Sequence, residues 1–137
     1  MSRLANLKRS ERGAAAMEFA LAVPVLVSFI WGIFQVGLLF WASAGMQHAL
    51  GEGARFATLC INPSPECTVP TDAQIQARIN DKVFGTQNGT FTVSPPVSGA
   101  GFKTLSVTYT TPTNFLFISG PTVTLTKSKK VYIAINT

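Results

Sequence analysis

Residues 19–51 contain no Asp, Glu, Lys or Arg, and this run constrains the chain more than any other feature. A bilayer core about 30 Å thick takes roughly 20 apolar residues as a helix rising about 1.5 Å each. Residues 19–42 meet that length. Inside lipid every backbone N–H and C=O has to be bonded within the segment, so these residues are expected to be helical. Glu18 stands at the start of the run, and Arg3, Lys8, Arg9 and Arg12 precede it.

The formal charge of +5 suggests a nucleic-acid partner until it is divided along the chain. Residues 1–13 carry four bases against one acid, and the remainder carries seven against five. The excess therefore sits just before the apolar run, where the positive-inside rule accounts for it, and no nucleic-acid partner is expected. The apolar run is too long for the 7–15-residue core of a secretory signal. Ala42-Ser43-Ala44 resembles a cleavage site, but a retained anchor is the reading that fits the length. About 90 residues come after the run, enough for one small domain.

A cytoplasmic leader places Cys60 and Cys67 outside the cytoplasm, where a disulfide persists. The intervening Pro-rich turn allows the two sulfurs to meet. A metal pair is the alternative, but no further Cys and no nearby His completes a zinc set.

Gly13 is followed by four residues and then by Glu18-Phe19, between a basic leader and an apolar helix. This arrangement resembles the class III signal of type IV pilin-like proteins, in the variant of Flp (tight adherence) pili and their TadE and TadF pseudopilins. The resemblance covers roughly residues 11–59. It includes a proline in the apolar run, Pro24, and a closing Gly53-Ala54-Arg55-Phe56-Ala57, the GAR-aromatic-A element. It implies that a prepilin peptidase cuts between Gly13 and Ala14 on the cytosolic side. Glu18 then becomes the fifth residue of the mature chain. It also implies other pilin or pseudopilin subunits and an inner-membrane assembly platform as partners. The chemistry is reasonable in its own right. A new α-amine at Ala14 and the Glu18 carboxylate can pair, within one subunit or between neighbours, which lowers the cost of holding both at the membrane edge.

The expected organisation is a flexible basic cytosolic leader (1–13), a transmembrane helix (14–42), its continuation outside the membrane (43–59) and a periplasmic domain (60–137). The fold class is α+β. A long N-terminal helix packs on a small antiparallel sheet of three to four strands, with one short extra helix. Pro24 is expected to kink or loosen the helix. Trp41 is the candidate for the outer aromatic belt, Trp31 a mid-span packing residue, and Gln35 a mid-membrane amide able to bond across helices. Gly51 places helix continuity in doubt. Gly45, Ala49, Gly53 and Ala57 form a small-residue face that admits another helix or the chain's own domain. His48 reads as a surface or packing residue.

Thr71 and Gln74 suggest a capping box opening a short helix, with Ile75, Ile79 and Val83 at helical spacing and Gly85 as its stop. Strands are expected at 90–94, 103–111, 122–126 and 129–135, with loops at 95–101 and 113–121. The apolar residues 115–118 are expected to cap the sheet core, Lys127, Lys129 and Lys130 to form a solvated edge, and Asn88-Gly89 a turn.

No catalytic constellation is visible, so neither an enzyme nor a cofactor is expected. The leading expectation is a pseudopilin or minor pilin in an Flp-type pilus system, held by one span in a bacterial inner membrane with the N-terminus cytoplasmic. The alternatives are an uncleaved bitopic scaffold and a domain released after Ala44.

Overall fold

A computed structural model describes residues 2–59, 68–85, 89–115 and 118–133, with side chains from Gly13 onward except those of Phe115 and Ile118. The expectations for Cys60, Cys67, Asn88 and the side chains of residues 115–118 lie outside the described residues.

One helix, α1 (Ser2–Ala57), runs without interruption through the leader, Pro24 and Gly51. The leader is therefore helical where flexibility is expected. Leu4, Ala5, Leu7, Lys8, Arg9 and Arg12 all have high helix propensity, and they extend a helix nucleated in the apolar run. Pro24 removes one N–H from the ladder, and Ser28 Oγ donates to the Pro24 carbonyl oxygen at 2.8 Å. Gly51 weakens the helix locally by about 1 kcal/mol, which the flanking packed turns outweigh. The helix closes at Arg55, whose carbonyl accepts from the Thr58 backbone N–H and hydroxyl.

A second helix, α2 (Asp72–Lys82), begins in the expected capping box. Gln74 N–H donates to Thr71 Oγ1 at 3.3 Å, and Thr71 N–H donates to Gln74 Oε1 at 3.0 Å. Ile75 and Ile79 are fully buried against α1, each contributing about 1.5–3 kcal/mol by burial. The helix ends at Val83, which is extended, and Gly85 makes the turn at φ +91°.

Three strands form a meander in the order β1-β2-β3, all antiparallel: β1 (Thr90–Gly99), β2 (Phe102–Phe115) and β3 (Ile118–Tyr132). Parts of two expected loops, residues 95–99, 113–115 and 118–121, belong to strands. Pro95 and Pro96 sit at a bulge in β1, an edge strand, where a missing N–H is tolerated. Pro112 lies beyond Thr110, the last β2 residue paired with β1. The two expected terminal strands are joined into one over residues 122–132, continuous through Lys127 and Ser128.

The sheet presents Leu105, Val107, Tyr109 and Val131 to a single core with Ala42, Met46, Ala49 and Leu50 of α1 and with Ile75 and Ile79. Val107 pairs with Lys127 and Leu105 with Lys129, so these two lysines lie on the helix-facing side of the outer strand. Inward charge on an edge strand discourages pairing with another sheet.

The small-residue face of α1 lies under α2. A Cβ at Gly45 would fall on the Phe84 carbonyl oxygen, and one at Gly53 would meet Ile79 Cγ1. Ala49 and Ala57 on the same face are buried. Gly51 meets nothing. Gly45→Val and Gly53→Leu are therefore expected to destabilise the domain by about 1–3 kcal/mol through overpacking. Gly51→Ala is expected to be neutral or stabilising by up to about 1 kcal/mol. Thermal unfolding of the detergent-solubilised chain, followed by circular dichroism, checks all three.

Candidate functional site

The side chains divide α1 into two lengths. Residues 13–30 are exposed all round apart from half-buried Val23. Phe19 is 71% exposed and Phe29 68%, values at odds with water as their surroundings. From Trp31 onward one side is covered. Trp31, Gln35 and Leu39 are half-buried, and Ala42, Met46, Ala49, Gly53 and Ala57 are buried. Their spacing of three and four residues keeps them on one stripe.

The bare length carries the residues expected to be processed and paired. Gly13, Ala14, Glu18 and Phe19 are all exposed on the helix. Ala14 and Glu18 are four positions apart, so an α-amine at Ala14 would stand one helical turn from the carboxylate. Beside them, Pro24, Val25, Ser28, Phe29, Gly32 and Ile33 line an open apolar groove along the shaft. The helix has one apolar surface long enough to cross a bilayer, Gly13–Ala57, which marks the chain as a single-pass anchor candidate.

The covered length explains the GAR element residue by residue. Gly53 leaves space for Ile79, and Ala54 is buried in the core. Arg55 is exposed in the last turn, where a cation complements the helix dipole, and Phe56 packs at the core margin. Glu52 and Arg78 approach to 3.8 Å across α1 and α2. Lys103 pairs with Asp72, and Gln76 Nε2 donates to the Val93 carbonyl oxygen at 2.8 Å, tying α2 to the sheet. His48 is an exposed residue whose ring meets that of Phe84 at a tilt, 5.6 Å between ring centroids.

One contact has no counterpart among the expectations from sequence. Trp31 Nε1–H donates to the Asn114 carbonyl oxygen at 2.7 Å, and Gln35 Nε2–H donates to the same oxygen at 3.2 Å. Gln35 thus bonds the chain's own sheet. The signal for it is two polar donors spaced i, i+4 within an apolar run, each of which needs an acceptor. Trp41 is 44% exposed, next to Ala42, which lies beneath Gly85. Among the described residues no group of His, Cys, Asp and Glu converges on a metal site.

Residues 13–55 match the family described as TadE-like protein. The match begins at the expected cleavage glycine and ends within the GAR element, so it covers the shaft and the α1 side of the core but not the sheet. No curated protein and no solved structure matches the chain.

Trp31→Phe combined with Gln35→Leu removes both donors from the Asn114 carbonyl. The expected cost is about 1–3 kcal/mol, confined to the end of the hairpin. Amide hydrogen exchange should accelerate over residues 111–122 and stay unchanged over 105–109.

Proposed function

Starting from the TadE-like segment, we propose that this chain is a pseudopilin or minor pilin of a Tad/Flp-type pilus system. A prepilin peptidase cuts it after Gly13, and it then joins or primes a filament through its apolar shaft. The observation that carries this reading is the bare shaft itself. An 18-residue length, residues 13–30, exposed at every position but Val23 and carrying Gly13 and Glu18 at its far end, extends from a folded domain that covers only the other half of the same helix.

In this reading each residue has a physical task. Gly13 is the poorest helix former at the junction, so the helix opens there at least cost for a protease to grip the backbone. The cut removes four bases and Glu11, leaving Ala14 with an α-amine. That cation offsets the Glu18 charge, which is otherwise costly beside hydrocarbon. The leader's bases hold the N-terminus in the cytoplasm and the domain in the periplasm. The partners are other pilin-like subunits, whose helices cover the shaft, and an inner-membrane assembly platform. No reaction is assigned to the chain.

A second reading has its own observation. The helix passes through Gly13 without a break, which suits an uncleaved bitopic scaffold that keeps its leader.

Mass spectrometry of the chain from cells containing the peptidase separates the two. The expected N-terminus is Ala14, lost in Gly13→Leu; an uncut parent chain overturns the processing claim. Glu18→Ala is expected to leave membrane insertion intact and to reduce surface pili by at least tenfold, a loss of about 1.4 kcal/mol or more in subunit docking. The scaffold reading expects no change in either measurement.

A further inference from the structure

We propose that the bilayer surface nearest the sheet runs at the level of Trp31, Gln35 and the Asn114 carbonyl. The outer part of the β2–β3 ladder, residues 111–114 and 119–122, then lies at the lipid headgroup layer, and the hydrocarbon span is residues 13–30. This rests on the membrane-anchor reading and changes where the anchor sits. The hydropathy of the chain alone puts the span at residues 19–42.

The domain sets the upper limit. Hydrocarbon does not accommodate open strand edges or irregular backbone, because nothing there bonds the free N–H and C=O groups. β1 pairing ends at Thr90 with Thr110, so the outer part of the β2–β3 ladder is two-stranded, with an irregularity between Pro112 and Asn114. That part carries Thr113, Asn114, Ser119 and Thr122, which suit a polar layer; Thr111 is buried, and the apolar Phe115–Ile118 lie between Asn114 and Ser119 in sequence. It lies alongside Trp31 and Gln35. Further up, the end of α2 and its turn at Gly85 lie against Ala42 and Gly45. A hydrocarbon boundary at residue 42 would immerse both features. Ile33, Phe40 and Trp41 are exposed and would gain from lipid. A backbone polar group stripped of partners in hydrocarbon costs more than one such side chain gains.

Length agrees with this limit. The 18 residues 13–30 rise about 27 Å as a helix, within the range that spans a core of about 30 Å. The headgroup layer adds about 5–8 Å on each side, or about four to five residues of helix, which brings residues 31–35 into it. Trp31 there has the place and partner of an interfacial tryptophan, its ring against the helix and its N–H on a carbonyl. A span that ends at Trp31 has to begin near Gly13. Glu18 is then about 8 Å inside the opposite surface and not at its edge. The carboxylate accordingly needs a cation at its own depth.

The test uses the two tryptophans as depth gauges in the full chain, reconstituted into phosphatidylcholine–phosphatidylglycerol vesicles. In Trp41→Phe, acyl chains brominated near the glycerol end should quench Trp31 severalfold more than chains brominated near the terminal methyl. In Trp31→Phe, aqueous acrylamide should quench Trp41 and both brominated lipids should leave it nearly untouched. The unaltered chain checks that losing the Asn114 bond has not moved the domain. Its emission should split into one part reached by shallow bromine and another reached by acrylamide. Trp41 quenched by lipid as strongly as Trp31, or Trp31 quenched best by deep bromine, overturns the proposal and leaves the anchor standing. A chain that does not float with the vesicles removes the anchor reading itself, and this proposal with it.

Discussion

An α-helix bonds its own backbone, and everything else in this molecule depends on that self-sufficiency. A helix leaves no backbone group unbonded along its length, so it can leave one medium and enter another without changing conformation. Between Ile30 and Trp31 the surface of α1 changes from exposed and apolar to a stripe covered by α2 and the sheet. No linker separates shaft from domain. Tilt or rotation of one is transmitted to the other through the same rod.

The domain is small, and it holds to the rod by fit. Gly45 and Gly53 let α2 approach until the Phe84 carbonyl and Ile79 occupy the space of two missing side chains. Ile75, Ile79, Leu105, Val107 and Met46 fill the centre. Polar ties at the margin, Gln76 to Val93 and Lys103 to Asp72, fix α2 against the sheet. The TadE-like segment ends inside this fit, at Arg55. One wall of the core is thus supplied by the family's segment, while the sheet opposite it lies outside that match.

The helices were legible because their signals are local. Thr71 with Gln74 caps α2 as its residue types suggest, and an uncharged run of this length has few folds open to it. The sheet was harder to read. Pro95, Pro96 and Pro112 look like loop residues, and only pairing partners far along the chain show that a bulge and an unpaired edge tolerate them. Ser128 between Lys127 and Lys129 looks like a break, yet Ser106 lies opposite it in register and the strand continues. At the site, Gly13, Ala14, Glu18 and Phe19 stood out because their spacing is fixed along one helix. The bond from Trp31 to Asn114 joins residues 83 positions apart, so no local pattern announces its acceptor.

The bare shaft also constrains how such a molecule can travel. Phe19, Leu21, Leu26, Phe29 and Ile30 are each at least 59% exposed. Moving each from an oily setting into water costs about 1.5–3 kcal/mol, so a stop in the aqueous phase would cost these five alone roughly 7–15 kcal/mol. Any route out of lipid has to be a transfer between two dry environments, each residue meeting its new apolar neighbours as it leaves the old ones.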